Sequence, residues 1–500
     1  MSVVEQYNFY YLRTCKYCIF SSPEDILIKE ILFFSVSDKK DSYCVVTEME
    51  GCRFNLIVYL KTFGYISWSF SFQVLDVFWV GSRICLMLEN CFIIFDPISK
   101  KRMVLTLPSY RIHKIISLNS SEYVYSTFSK NINYCSIVKH NIIINKDTVI
   151  KEISSYEKEV KENIGNLNQD QQNAIDNFIS TLSTYGQASF VGKINNAIIQ
   201  FKYNRLNTEV VVEEKVRWTI PGFIQSGGIF KSKLIILWSN FLNEPQLVCL
   251  DEKQYDKFHF PNTSSISYCI DSSTLQPYYF VSDKKSKDYV LFLHGGPTGQ
   301  FVNRYDFLYK CLLEINCNLL FLNYIGSSGY TSEYQSSLVN RGGKLDVKLI
   351  KEFIENFIKD YEIERLVVVG MSYGGYLSIL LSKRFSTKGF IKFVSISGFC
   401  NVMFQYLFSS ARNVILLYLL NNYEKNKYSI DPVYINFLDV KNLSFIHGLN
   451  DTYCPLEQIE QFCIKNNFKL SILKNLNHIS MSSLEKLDVA RILMKEMEND

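Results

Sequence analysis

The chain has 500 residues, with 47% apolar and 20% charged residues and 53 Lys and Arg against 49 Asp and Glu, a formal net charge of +4. That composition describes a globular chain of two or three domains at about 100–200 residues each, and excludes a disordered or fibrous one. The near-balance of charge argues against a nucleic-acid partner or an anionic membrane surface, and 37 Phe and 33 Tyr favour β-rich structure over a helical bundle.

Met1 to Tyr11 is polar and aromatic, without the basic start and apolar run of a secretory signal. Taken with 14 cysteines, this predicts free thiols in a reducing compartment, so a cytoplasmic location is expected. Cys15 and Cys18 form an isolated C-x-x-C; a zinc site would need a second ligand pair, so no metal and no cofactor are expected.

Residues 1–150 carry short β-like runs divided by polar turns. Phe92 to Phe95, then Asp96-Pro97-Ile98-Ser99-Lys100, then Met103 to Leu107 reads as a strand, a turn and a strand. Repeated hairpins of this kind suggest a propeller or a sandwich. Residues 151–184 change texture: Glu152 to Glu162 is charged, and Ile175, Phe178, Ile179 and Leu182 recur at helical spacing, which predicts a helical insertion or linker. Strand-like runs return over 187–260, at Val210 to Val212 and Leu234 to Trp238.

From about residue 270 strands alternate with helices. Tyr289–Leu293, Leu319–Leu322, Leu366–Val369, Phe393–Ile396 and Leu443–Ile446 are continuous apolar runs, as expected of strands covered on both faces. Asp346 to Tyr361 places Ile350, Phe353, Ile354, Phe357, Ile358 and Tyr361 on one helical stripe. This alternation predicts an α/β domain with a mostly parallel sheet and flanking helices. Val402 to Leu420 is the most apolar helical stretch, but Gln405, Arg412 and Asn413 interrupt it, so a buried or lid helix is expected rather than a membrane span.

The strongest chemical signal is Gly370-Met371-Ser372-Tyr373-Gly374-Gly375, set between an apolar strand and the apolar helix that begins at Tyr376. A G-x-S-x-G between strand and helix is the setting of a nucleophile elbow, a tight strained turn that exposes a serine hydroxyl above the sheet. Serine needs a base. In the order Ser, acid, His, only His447 and His478 follow Ser372. His447 ends a strand before Gly448 and reads as structural, whereas His478 lies in the polar loop Asn475-Leu476-Asn477-His478 and is the expected base. Asp451, just past the Leu443–Ile446 strand, is the expected acid, in preference to Asp431, which precedes Pro432 and reads as a helix cap. The backbone N–H of Tyr373, beside the nucleophile, and the loop His294-Gly295-Gly296-Pro297 are positioned to supply donors to a developing oxyanion.

Four segments taken together carry a resemblance: His294-Gly295-Gly296-Pro297, Asn323-Tyr324-Ile325-Gly326-Ser327-Ser328-Gly329-Tyr330, Gly370 to Tyr376, and His447-Gly448-Leu449-Asn450-Asp451. In order and spacing they resemble the prolyl oligopeptidase family of serine peptidases, its acylaminoacyl-peptidase and dipeptidyl-peptidase-like branches most of all. The likeness covers roughly residues 265–495, and Asn243 to Val248 resembles a strand of the last propeller blade in such enzymes. It implies an α/β-hydrolase domain over 266–500 and an all-β, propeller-like N-terminal cap over 1–265 with the helical insertion near 151–184. It implies Ser372, Asp451 and His478 as a triad and Gly296 and Tyr373 as backbone oxyanion donors. His294 stands where some relatives place a tyrosine, and Ile325 where the family usually has Arg. A segment of about 265 residues is short for the family's propeller, which predicts fewer blades or an irregular arrangement.

The function so implied is hydrolysis of short peptides through an acyl-enzyme, with an oligopeptide as substrate and the processing of one dedicated peptide as a specialised form. An esterase on the same fold needs the same triad, so the motifs do not separate it from a peptidase, though the large β-rich cap favours peptides; a catalytically silent peptide-binding protein would keep the cap as its interaction module, and the intact triad argues against it.

Overall fold

The computed structural model describes residues 28–106, 112–117, 122–128, 134–141, 146–154, 160–162 and 189–498, apart from short breaks at 38, 40, 50–52, 89–90, 195–196, 214, 231–232, 251–259, 262–263, 283–284, 410, 422 and 479–480. Two compact units divide the chain. One comprises Met1–Asn204, Thr208–Ser239 and Pro245–Phe260; the other comprises Arg205–Asn207, Asn240–Glu244 and Pro261–Asp500.

The first unit is built, as described, of five antiparallel sheets, each of strands in chain order. They run over Ile28–Val36 to Gly64–Phe70, Asp76–Val80 to Arg102–Thr106, Ile112–Ser117 to Val160–Glu162, Ser189–Ile194 to Lys215–Pro221, and Phe223–Phe230 to Gln246–Leu250. The expected hairpin is present, with Phe92 opposite Leu105. Its turn is closed by the Asp96 carboxylate, which accepts from the N–H groups of Ile98 and Ser99 at 3.0 and 3.1 Å. Packing joins the first sheet to the second, the fourth to the fifth and the fifth back to the first. Leu56, Phe70 and Ile84 belong to one cluster across the first two sheets. Phe201, Val210, Ile236 and Trp238 join the fourth to the fifth. Ile31, Tyr43 and Val45 of the first sheet pack with Phe230, Leu237 and Leu247 of the last. The contact is close: a Cβ added at Gly228 would fall on the Val36 side chain.

The helical insertion is corrected in part. Its first residues belong to strands, Lys146–Ser154 and Val160–Glu162, paired antiparallel at Ile153 and Val160, where the backbone bonds of a sheet edge take the place of a helix. Ile175, Phe178, Ile179 and Leu182 lie outside the described residues, as do Cys15, Cys18 and His259.

The second unit is an eight-stranded sheet covered on both faces. In chain order its elements are β1 (Ile266–Ile270), β2 (Pro277–Val281), β3 (Asp288–Leu293), α1 (Phe307–Glu314), β4 (Asn318–Leu322), α2 (Ser332–Ser336), α3 (Leu345–Asp360), β5 (Arg365–Met371), α4 (Tyr373–Arg384), β6 (Ile391–Ile396), α5 (Val402–Phe408), α6 (Arg412–Tyr418), α7 (Tyr423–Ile430), β7 (Leu443–Gly448), α8 (Leu456–Asn466), β8 (Lys469–Leu473) and α9 (Ser483–Glu498). The strand order is β1-β2-β4-β3-β5-β6-β7-β8. β1 and β2 are antiparallel to their neighbours, and the rest of the sheet is parallel, with Leu291 between Leu320 and Val368. Side chains alternate across it. Leu291, Leu293, Leu320, Val368 and Phe393 enter the core beneath α3 and α4. Val290, Phe292, Leu319, Phe321, Val367 and Val369 enter the core with α1 and α9. Being apolar on both faces is what makes these strands continuous apolar runs in the sequence.

The expected amphipathic helix is α3, which buries Val347, Ile350, Phe353, Ile354 and Phe357. Full burial of such side chains is worth about 1.5–3 kcal/mol each before the entropy of ordering them. The apolar stretch Val402 to Leu420 forms two short helices, α5 and α6, broken at residues 409–411. Gln405 is buried there and bonded on all sides, which is why a polar residue interrupts an apolar run. Among the described residues no helix is long and apolar enough to cross a membrane.

Candidate active site

β5 ends at Met371 and α4 begins at Tyr373, so Ser372 alone makes the turn, at φ 55° and ψ −117°. This is a conformation that non-glycine residues rarely adopt, and it is held from outside. The Ser372 N–H donates to Ile396 O at 2.9 Å, and Ser372 O accepts from Tyr376 N at 3.1 Å. The flanking glycines are required by space. A Cβ at Gly370 would fall on the Gly374 carbonyl, and one at Gly374 on the carbonyl of Leu293. A Cβ at Gly375 would stand 2.8 Å from Ser395 Oγ. The first turn of α4 leaves N–H groups without an acceptor inside the helix, Tyr373 among them, at the positive end of the helix dipole.

The residues expected to act with Ser372 converge on it. His478 Nε2 lies 2.9 Å from Ser372 Oγ, and His478 Nδ1 lies 2.7 Å from Asp451 Oδ2. Asp451 follows β7 directly, and its other oxygen accepts from the N–H groups of Tyr453 and Cys454 at 2.9 and 2.8 Å. Burial opposes ionisation of Asp451, but the bond and charge of His478, the Cys454 N–H and His447 outweigh it and hold the carboxyl below its usual range. A side chain with both oxygens so engaged keeps its charge and its orientation.

His447 is placed differently. It is fully buried in β7, its Nε2 donates to the Cys454 carbonyl at 2.7 Å, and it stands 3.9 Å from Asp451 Oδ2. Burial pulls its pKa down. Asp431 caps the turn Pro432–Tyr434 through the Val433 N–H and accepts from Tyr423 Oη, within a buried network away from Ser372. His113 and His140 lie on first-unit strands.

The loop His294 to Pro297 follows β3 and packs against the elbow: a Cβ at Gly295 would stand 3.1 Å from Ser372 Cβ and 3.7 Å from its Oγ. Gly296, next in the chain, has φ 123°, a conformation suited to glycine. His294 is buried, with Nδ1 2.8 Å from the Gly295 carbonyl and Nε2 2.7 Å from Ser327 Oγ. Of the aromatic residues near 399–408, Phe399 is core, stacked on Tyr376 at 4.5 Å, while Phe404 packs on an exposed Phe408.

Three supporting contacts had no signal in the sequence. Tyr453 stacks on the His478 ring at 5.0 Å and 14°. Tyr373 Oη donates to the fully buried Asp346 of α3 at 2.8 Å. Gln405 of α5 and Gln458 of α8 bond to each other at 2.8 Å, and Gln405 donates to the Tyr453 carbonyl, tying the loop after Asp451 to two helices. Side chains 25 to 53 residues apart meet here, and no local pattern marks such pairs.

The chain resembles known proteins in fold and, over part of its length, in sequence. The solved structures that resemble the chain include the acylaminoacyl peptidase of Pyrococcus horikoshii, with a TM-score of 0.62 and 15% identity over 94% of this chain and 89% of that one. A puromycin-hydrolysing peptidase of Mycobacterium tuberculosis gives 0.62 and 11%, over 94% of both chains. At these identities the likeness is one of fold. In sequence, the chain is 31% identical over 145 residues to dipeptidyl-peptidase 5 of Schizosaccharomyces pombe. It is 30% identical over 155 residues to acylamino-acid-releasing enzyme 2 of Oryza sativa subsp. japonica. These stretches cover 27% and 28% of this chain and 21% and 20% of those relatives. Residues 305–495, which hold the elbow, Asp451 and His478, match the family model described as prolyl oligopeptidase family. The chain therefore carries a domain of the prolyl oligopeptidase family.

Proposed function

We propose that the protein is a serine peptidase that cleaves short peptides through an acyl-enzyme, and that Ser372, His478 and Asp451 are its triad. The observation that carries this reading is the single chain of contacts from Ser372 Oγ through both nitrogens of His478 to Asp451. Ser372 Oγ attacks the substrate carbonyl while His478 Nε2 takes the hydroxyl proton. His478 then returns that proton to the leaving amine, and the acyl-enzyme remains on Ser372. Water, deprotonated by the same nitrogen, attacks the acyl carbonyl and releases the second product. Asp451 holds the ring with Nδ1 protonated and stabilises the imidazolium. The backbone N–H groups of Tyr373 and Gly296 take the charge that develops on the carbonyl oxygen.

The domain division at 265/266 belongs to the same proposal, with residues 1–265 as a propeller-like cap, five sheets of which lie among the described residues. The mutual packing of the first and last sheets supports the ring. A substrate range of short peptides, processing of one dedicated peptide included, and a cytoplasmic setting belong to the same proposal; among the described cysteines none forms a disulfide. The test is labelling with a fluorophosphonate probe followed by mapping of the modified peptide. Labelling at Ser372, abolished in Ser372→Ala together with about 10⁴–10⁶ of the turnover, is expected. An intact, folded protein that does not label at Ser372 would refute it.

A further inference from the structure

The contacts at the two nitrogens of His478 set the line of its ring more firmly than its plane. Nδ1 lies 2.7 Å from Asp451 Oδ2, and Nε2 lies 2.9 Å from Ser372 Oγ. Hydrogen bonds at these two atoms point in nearly opposite directions, and two bonds along one line restrain rotation about it only weakly. The loop after β8 carries the side chain: Leu476 is buried there, and a Cβ at Gly448 would fall on the Leu476 carbonyl. That loop places the residue, and what packs on the faces of the ring sets its tilt.

Tyr453 covers one face, with ring centroids 5.0 Å apart and planes 14° from parallel. Its own backbone is held at both ends. The Tyr453 N–H donates to Asp451 Oδ1 at 2.9 Å, and the Tyr453 carbonyl accepts from Gln405 Nε2 and Ser409 Oγ. Gln405 is buried and accepts in turn from Gln458 of α8 at 2.8 Å. The flat ring is thus tied to the carboxylate that holds Nδ1, and through Gln405 to two helices. An offset stack of this kind lets one ring slide within its plane but resists tipping, since tipping breaks contact along a whole edge.

We propose that Tyr453 is a positioning residue for the base: its ring holds the plane of the His478 imidazole while Nε2 carries a proton from Ser372 Oγ to the leaving group. The inference rests on the catalytic reading above. It goes further by assigning the orientation of the base to an aromatic face as well as to the Asp451 carboxylate. The role belongs to the flat face and not to the hydroxyl, so a phenylalanine performs it and an aliphatic side chain of similar bulk does not.

Tyr453→Leu and Tyr453→Phe test it, read by kcat and KM on p-nitrophenyl acetate and by the rate and final extent of fluorophosphonate labelling. A positioned base contributes about 10²–10⁴ to rate, and a misplacement of about 1 Å can cost about 10². Tyr453→Leu should therefore lose about 10- to 100-fold in kcat with KM unchanged, and label more slowly by a similar factor. The fraction of chains finally labelled should stay that of wild type, whereas a merely structural role would lower that fraction and leave the rate of the remainder unchanged. Tyr453→Phe should stay within about threefold of wild type. If Tyr453→Leu does not fold, Tyr453→Met decides, because its flexible chain fills the space without offering a flat face. Wild-type kcat in Tyr453→Leu, or in Tyr453→Met if that variant replaces it, overturns the inference. So does an equal loss in Tyr453→Phe, or a fall in labelled fraction at an unchanged rate. A wild-type protein that neither labels at Ser372 nor turns over the ester overturns the catalytic reading itself, a result distinct from the others.

Discussion

Asp346 shows how a single residue couples the turn at Ser372 to the scaffold. It is fully buried in the first turn of α3, where it accepts from Tyr373 Oη and from the Val347 N–H. Burial raises its pKa to about 6, with these hydrogen bonds pulling the other way. The folded state therefore binds the proton more tightly than the unfolded chain, in which the reference value is 3.8. The contribution to stability is greatest at low pH and is lost as pH rises through the interval from about 4 to 6. His294 has the opposite sign: with a folded value of about 4 against 6.5, it contributes stability above pH 6.5 that is lost as pH falls toward 4. The two slopes offset each other in wild type. Asp346→Asn should remove one of them, so that stability at pH 7 minus stability at pH 5 becomes larger than in wild type by about 1 kcal/mol. Urea unfolding at the two pH values measures it, and a smaller difference than in wild type would contradict the assignment. The motif around Ser372 was legible residue by residue because a tight turn demands glycine at fixed spacing. Asp346 was not, since its importance comes from a tyrosine 27 positions away and from burial that only packing creates.

At the scale of elements, the strand–turn–helix of β5 and α4 is the piece on which everything else is hung. Gly370 closes against the carbonyl of Gly374, and Ser378 Oγ lies near by, so the turn has no room for a side chain on its strand side. Gly370→Ala should force the backbone apart where Ser372 is already at a strained φ. The expected result is a protein that is destabilised by about 1–3 kcal/mol and slowed more than a hundredfold; far-UV circular dichroism with melting, and fluorophosphonate labelling, report the two effects separately. Wild-type labelling in that variant would show that the elbow tolerates a wider turn. The parallel strands and α3 were readable from apolar periodicity because both faces of the sheet are covered. The break of the 402–420 stretch into α5 and α6 was not, because it depends on Gln405 finding partners in α8 and in the loop after Asp451.

Over the whole molecule, the segment Asn240–Glu244 departs from chain order. Flanked by strands of the first unit, it belongs to the second. Phe241 is buried there, stacked on Phe321 of β4 at 4.4 Å and 12°, with its N–H bonded to Asn303. Lys310 of α1 pairs with Glu244 at 2.7 Å, a half-buried bridge. Phe241→Ala should cost the α/β unit about 3–5 kcal/mol, since it opens a cavity beside the core of the sheet. Denaturant unfolding followed by tryptophan and tyrosine fluorescence measures this; a loss under about 1 kcal/mol would mean that the ring is not part of that core.

Those residues define the division between what the sequence by itself determined and what the tertiary structure decided. Local and periodic constraints are written in the chain: alternating apolar runs for covered strands, a helical stripe for α3, glycines where a turn has no space, and the order of serine, acid and histidine along strand ends. The different placement of His478, beside Ser372, and His447, buried in β7, also followed from local context, a polar loop against a strand interior. Meetings between distant segments are not written there, because each partner taken alone is an ordinary residue in an ordinary place. Tyr453 on His478, Tyr373 on Asp346, His294 behind the Gly295 carbonyl and Phe241 on Phe321 all depend on burial and on contacts that exist only after the chain has folded. Burial also makes a histidine neutral or a carboxyl hard to ionise, so the electrostatics of the site were decided by the same packing.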